Sequence, residues 1–371
     1  MQCVHLLGAA SASPLSSGDR SPHITRLFLI IWKQFTYRLR GTPMRIASIV
    51  VAVLWLAGAG KSDAVSKVEI QEWLVPWEKS QPRDPYVGPN GRVWFVGQRA
   101  DYVAYFDPKE EKFKKYELDE GAGPHTVVVS PDGIPWYAGN RAAHIGKIDP
   151  ATGKIEKIPM PDAQARDPHT MAFDHRGHLW FTVQGGNYIG RLQPDTQKVD
   201  LVRLPQPGSR PYGVVVDSKG RPWVAEFGTN KLATVDPHSL ELTEFELPDR
   251  EARPRRLVVS SKDEIWFVDY ALGKLGRFVP GTSKFEQWPT PGGPESRPYG
   301  MAIDRQDRIW FVETGTTPNR FIGFNPAAAD YFAVAEIKSG GGSVRHMYYD
   351  ASSGSVWFGT DTNYIGRAKV E

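Results

Sequence analysis

The chain has 371 residues, 40% hydrophobic and 23% charged, which suits a globular protein with room for a sizeable core. Its formal net charge is +3, but residues 1–64 carry seven Lys/Arg against two Asp, so the remainder sits near −2 and has no basic excess for nucleic acid. The single cysteine, Cys3, excludes an intrachain disulfide framework, and no zinc spacing, nucleophile elbow or phosphate loop is present.

Residues 1–43 are rich in Ser, Gly and Pro and then basic and aromatic up to Arg40. They predict no domain, and read as an over-extended start or a tail. Met44 and the charged Arg45 precede an apolar run of 15 residues, 46–60, and Ser62, Asp63 and Ala64 offer small residues for cleavage. Residues 44–64 therefore predict a secretory signal peptide, with a signal anchor disfavoured because 15 apolar residues are short for a bilayer. The mature chain is expected to be exported, to the periplasm of a two-membrane host or secreted, with no stable membrane association after cleavage.

From residue 65 onward the sequence repeats itself. Residues 123–161 are echoed by 167–205, 210–248, 253–291 and 297–338, with an earlier copy taken from Asp84 and a truncated last one, 344–371. One tryptophan marks each unit: Trp94, Trp136, Trp180, Trp223, Trp266, Trp310 and Trp357, spaced 42 to 47 residues apart. Within the second unit, four short apolar or alternating segments begin at His125, Pro135, His144 and Ile155, separated by turns at Asp132-Gly133 and Thr152-Gly153. Four antiparallel strands per repeat, with no helical period, predict a seven-bladed β-propeller over residues 65–371. The last unit lacks a fourth strand, and residues 67–76 supply one, so the N-terminal strand is expected to close the ring.

In a propeller the residue after the unit's proline and those just past the tryptophan share one rim. The first ring then reads Tyr86, His125, His169, Tyr212, Arg255, Tyr299, and Arg345 or His346. The second includes Glu226, Asp269 and Glu313, with Gln184 and Asp361 one position further. Converging carboxylates repel unless a cation or basic group lies between them. Glu313, Asp361, Asp269 and Glu226 are therefore candidates for a hard divalent ion such as Mg2+, or alternatively for pairing with Arg255 and Arg345. His144, His175, His178 and His238 are expected in solvated turns. A small molecule at the channel mouth is the expected partner, and a monomer the expected state.

The unit PHTVVVSPDG followed by IGKIDP and IEKIPMP, with WFTVQGGNYIGRL and WFGTDTNYIGRA, resembles the streptogramin lyase (virginiamycin B lyase-like) family. The resemblance covers all seven units. It implies a Mg2+-dependent elimination that opens a cyclic depsipeptide at an ester C–O bond without water. The family's sixth-blade substrate histidine falls on Tyr299, and its Glu-Pro-His on Ser343 or Val344 followed by Arg345 or His346. Its second glutamate falls on Asp361, and Glu313 on the neighbouring blade stands in for the missing ligand. A second arrangement places the same order on His125, Asp167-Pro168-His169 and Gln184. On this basis His346 and His169 are the expected acid/base groups. The alternatives are a non-catalytic exported propeller that binds a ligand or protein, and a metal-dependent lactone hydrolase.

Mass spectrometry of the exported protein should find its N-terminus between about residue 60 and residue 66. A membrane-bound form that keeps residues 46–60 would establish the anchor instead.

Overall fold

Each repeat folds into four antiparallel strands laid side by side, and the second shows why. Pro124–Val129 and Pro135–Gly139 form a hairpin over the turn at Gly133, whose φ of 87° favours glycine. His144–Ile148 and Ile155–Pro159 complete the sheet, the last half-buried or exposed except for the buried Ile158. The computed structural model describes residues 68–371, as seven four-stranded sheets. The expected tail, 1–43, and leader, 44–64, lie outside the described residues. No helix among the described residues is long and apolar enough to cross a membrane.

The seven repeat tryptophans are at most 4% exposed, and each packs in the seam toward the following blade. Trp136, for example, joins Met171, Leu179 and Phe181 of the third blade. A buried ring of this size is worth roughly 4–6 kcal/mol of gross transfer energy before entropy is subtracted. Trp180, Trp223 and Trp310 also donate their indole N–H to Asp174, Asp217 and Asp304 at 3.1, 2.9 and 2.8 Å. The recurrent glycine of the third strand has a steric cause. A Cβ on Gly146, Gly190, Gly276 or Gly366 would lie 2.1–2.2 Å from the aromatic ring that follows the tryptophan on the neighbouring strand.

The ring closes as the sequence predicts. Glu69–Leu74 pairs antiparallel with Tyr364–Lys369, from Glu69 opposite Lys369 to Leu74 opposite Tyr364. Trp73 stacks on Trp357 at 5.7 Å, and Asn363 donates to the carbonyls of Val75 and Trp77 at 3.0 and 2.9 Å.

A chain that starts at Gln81 lacks this strand and leaves Tyr364–Lys369 as an open edge. It should lose its cooperative thermal transition and aggregate. A calorimetric transition like that of the intact mature chain would refute the closure.

Candidate functional site

The innermost strand of the first six blades carries a bulge at its start. Pro124 opposes Gly139 and Val127 opposes Tyr137, so three residues on one side span two on the other, and the slip falls at His125 and Thr126. The same slip recurs at His169-Thr170, Tyr212-Gly213, Arg255-Arg256 and Tyr299-Gly300. A bulge re-aims side chains, and here it gathers successive pairs in the channel.

One position differs from the sequence reading, and at a second the structure selects between the two residues offered. In the first blade Pro82, not Pro85, opposes the residue three past the tryptophan, so the ring member is Arg83 and the next is Asp84. Tyr86 lies further along the strand, opposite Trp94, and packs on Tyr348 at 4.4 Å. In the seventh blade Met347 opposes Phe358, which puts Arg345 in the ring and His346 one step on. The ring is therefore Arg83, His125, His169, Tyr212, Arg255, Tyr299 and Arg345.

Asp84 and Arg256 bind these blades together. The Asp84 carboxylate accepts from Arg256 Nη2 at 3.0 Å, Arg83 Nε at 3.2 Å and Thr126 Oγ1 at 2.7 Å. Arg256 also donates to Thr170 Oγ1 at 3.1 Å and to the Arg345 carbonyl at 2.8 Å, so one side chain of the fifth blade reaches the first, third and seventh. Burial alone would raise the Asp84 pKa, but Arg256 and Arg83 outweigh it and hold the carboxyl well below the usual range. Asp84 itself has a left-handed φ of 48° ahead of Pro85, a conformation that Asp tolerates better than most residues.

Beside this hub the rings of His125 and His169 lie 3.4 Å apart, and His169 lies 4.3 Å from Tyr212. Thr126 gives its one hydroxyl proton to Asp84, so its oxygen accepts from His125 Nδ1 at 3.2 Å and Nε2 is left as the basic nitrogen. Burial, reinforced by Arg83 and Arg256, keeps His125 well below an ordinary histidine; burial, His125 and Arg83 do the same for His169. Both are neutral at pH 7. His346 is lowered to about 4 by burial and Arg256.

The hydroxyls of Tyr212 and Tyr299 hydrogen-bond to each other, and both rings flank Arg255. The Arg255 guanidinium lies 3.7 Å from the ring centroid of Tyr299, 4.3 Å from Tyr270, 4.4 Å from Phe227 and 4.9 Å from Tyr212. Burial would raise both phenols. At Tyr212 it is outweighed by Arg255, Arg83 and Arg256, which bring the group down to about 8, while burial and the Tyr212 charge push Tyr299 up.

The expected carboxylates share the rim but do not converge. Glu226 accepts from Thr229 Oγ1 at 2.9 Å, and Asp269 caps the backbone N–H groups of Arg253, Ala271 and Leu272. Glu313 takes Arg320 and the Gly292 N–H, and Asp361 takes both Arg345 Nη1, at 2.7 and 2.8 Å, and Gln81. Asp167 caps the Gly185 and Gly186 N–H groups, beside the half-buried Gln184. Each acid stabilises local loops or a neighbouring arginine. Among the described residues no three His, Cys, Asp or Glu side chains are grouped so as to hold a metal ion, so the donor set does not fit the expected divalent cation. His144 is a further correction: it is buried, with a ring nitrogen 3.1 Å from the Tyr137 hydroxyl.

Arg83, Asp84 and Arg256 are the site residues that sequence reasoning missed. Counting back eleven residues from the tryptophan reaches His125, His169, Tyr212, Arg255 and Tyr299, and from Trp94 it reaches Arg83. The Asp84-Pro85 pair imitates Asp167-Pro168 and masks that count.

A family model described as the Virginiamycin B lyase family matches residues 37–320. The chain belongs to that family. Among solved structures it is similar to virginiamycin B lyase from Staphylococcus aureus, with a TM-score of 0.75 and 24% identity over 82% of this chain and 100% of the other. A catalytically inactive variant of the same enzyme with quinupristin gives a TM-score of 0.73, also at 24% identity, over 82% of this chain and 100% of the other. An extracellular domain assigned to a hybrid two component system from B. thetaiotaomicron gives 0.62 at 15% identity, covering 81% of this chain and 42% of that one. At these identities the structural likeness establishes the fold. No curated protein matches.

Glu226 couples the stability of the fold to pH. Burial and the neighbouring Glu244 carboxyl raise Glu226 from 4.5 to about 7. The folded chain thus holds this proton more tightly than the unfolded one. The contribution is complete below about pH 4.5 and is lost as the pH rises through about 7. Urea melts of wild type should weaken across that window, by on the order of 3 kcal/mol, and Glu226→Gln should flatten the slope. Equal slopes would show that the carboxyl pair is not coupled to folding.

Proposed function

We propose that the chain opens an ester C–O bond of a small cyclic molecule by elimination at the Tyr212–Tyr299 end of the channel, as an exported member of its family. A base takes the proton from the carbon next to a carbonyl. The C–O bond one carbon further on breaks, its electron pair leaves on oxygen, and a C=C bond and a free carboxylate result. No water enters. The observation that carries this reading is the setting of Tyr212, a phenol hydrogen-bonded to Tyr299, with the Arg255 guanidinium 4.9 Å from its ring centroid and its ring 4.3 Å from that of His169; the neighbouring arginines hold it below the usual phenol range. A base performs best when its pKa lies near the working pH, which favours Tyr212 over the more strongly depressed histidines. His169 and His125 then serve as neutral partners for the transferred proton. The family's divalent cation has no fitting ligand set among the described residues, so Arg255 and Arg83 supply the positive charge to the carbonyl oxygen.

A second reading has its own support. His125, His169, Tyr212 and Tyr299 are no more than 4% exposed, which suits a ligand held without chemistry as well as a reaction.

Mass spectrometry separates these possibilities, with quinupristin and simple cyclic esters as probes. Elimination gives a ring-opened product of unchanged mass, and hydrolysis adds one water. The product of unchanged mass should form in EDTA, with a rate that rises with pH toward about 8. Tyr212→Phe should lower kcat by about 10²–10⁴. Saturable binding without turnover would establish the binding propeller, a product heavier by one water the lactone hydrolase, and loss of activity in EDTA a metal enzyme.

A further inference from the structure

Three buried nitrogen atoms around the ring take no partner from the protein: Arg83 Nη2, Arg255 Nε and His346 Nδ1. For Arg83 the neighbours account for the rest of the group. Arg83 gives Nε to Asp84 and Nη1 to Gln98 Oε1 at 2.7 Å, and its side chain is 6% exposed. Arg256 is fully engaged by Asp84, Thr170 and the Arg345 carbonyl. Arg345 is paired with Asp361. Arg255 forms no ion pair among the described residues; four aromatic rings surround it instead. Cation–π contacts return only part of what removing a guanidinium from water costs. Arg83, Arg255 and Arg256 thus bring three positive charges against the single Asp84 carboxylate, an excess of two, and Arg255 Nε has no acceptor.

We infer that Arg255 is an oxyanion site which takes a carboxylate group at its unpartnered Nε, beside Tyr212 and Tyr299. The Arg255 guanidinium lies against both phenol rings, whose hydroxyls hydrogen-bond to each other. A guanidinium presents its N–H groups in a plane, and a planar carboxylate between aromatic walls matches it better than a tetrahedral phosphate does. The proposed elimination would supply such a group, because an ester that loses its C–O bond expels a carboxylate. The source therefore rests on that reading. The site does not, since its test measures binding and not turnover.

The test is a thermal-shift and calorimetric titration of the mature protein with sodium acetate, sodium benzoate and inorganic phosphate, against sodium chloride at equal ionic strength. Acetate or benzoate should raise Tm with saturation, by linkage of binding to folding. Arg255→Gln should abolish the shift, and Arg297→Gln, an exposed arginine on the same rim, should leave it unchanged. Arg255→Lys keeps the charge and loses the planar fork, so it should bind about tenfold more weakly. Should Arg255→Gln fail to fold, wild type still decides the matter. A bound carboxylate offsets the arginine charge and should move the ultraviolet ionisation of Tyr212 upward from about 8. Equal shifts with chloride, or shifts that survive in Arg255→Gln, would overturn the site. Stronger binding of phosphate would overturn its assignment to carboxylates, and a Tyr212 ionisation indifferent to acetate would separate it from the phenol pair.

Discussion

The pairing of Arg256 with Asp84 is the constraint on which the centre of this molecule depends. A propeller packs neighbour against neighbour, and tryptophan seams alone would leave its axis unsupported. Here one guanidinium spans the axis and holds the first, third and seventh blades to the fifth. The geometry succeeds because the inner strands pass very close to each other beside it. A Cβ at Gly213 would stand 2.7 Å from the Arg255 carbonyl, and one at Gly300 2.9 Å from that of Val344. Breaking a buried pair of this kind leaves an uncompensated charge, usually at a cost of about 3–5 kcal/mol.

The same pair sets the chemistry of the mouth. Asp84 absorbs part of the charge of Arg83 and Arg256, and its hold on Thr126 fixes the tautomer of His125. What remains unbalanced falls on the phenols and on Arg255. The rim is therefore rich in guanidinium, imidazole and phenol, and its acids are turned away into the blade loops. The seams fix the scaffold, and the residues at the bulges set the polarity of the mouth.

Much of this was legible in the sequence. Seven tryptophans at one spacing and a missing fourth strand specify the propeller and its closure, because both depend on strand period and edge pairing. The ring from His125 to Tyr299 was legible for the same reason. The errors arose where side-chain direction matters. Glu226, Asp269 and Glu313 lie at the predicted level of the rim, yet period-two alternation on the second strand sends them into their own loops. Asp84 was hidden behind a proline that mimics the repeat, and Arg256 follows a ring member at a place where only a bulge would bring it inward. A bulge has no reliable signature in a single sequence.

The strand that closes the ring also determines how the molecule would respond to force. Glu69 lies opposite Lys369, so the two ends of the propeller enter the last sheet side by side at the same edge. Tension applied to them would not shear all the rungs of that pair together. It would load the Glu69–Lys369 rung first, then Ile70–Ala368, and so on toward Leu74. The seventh blade would thus open like a zip, one hydrogen-bonded step at a time, while the tryptophan seams of the other six still held.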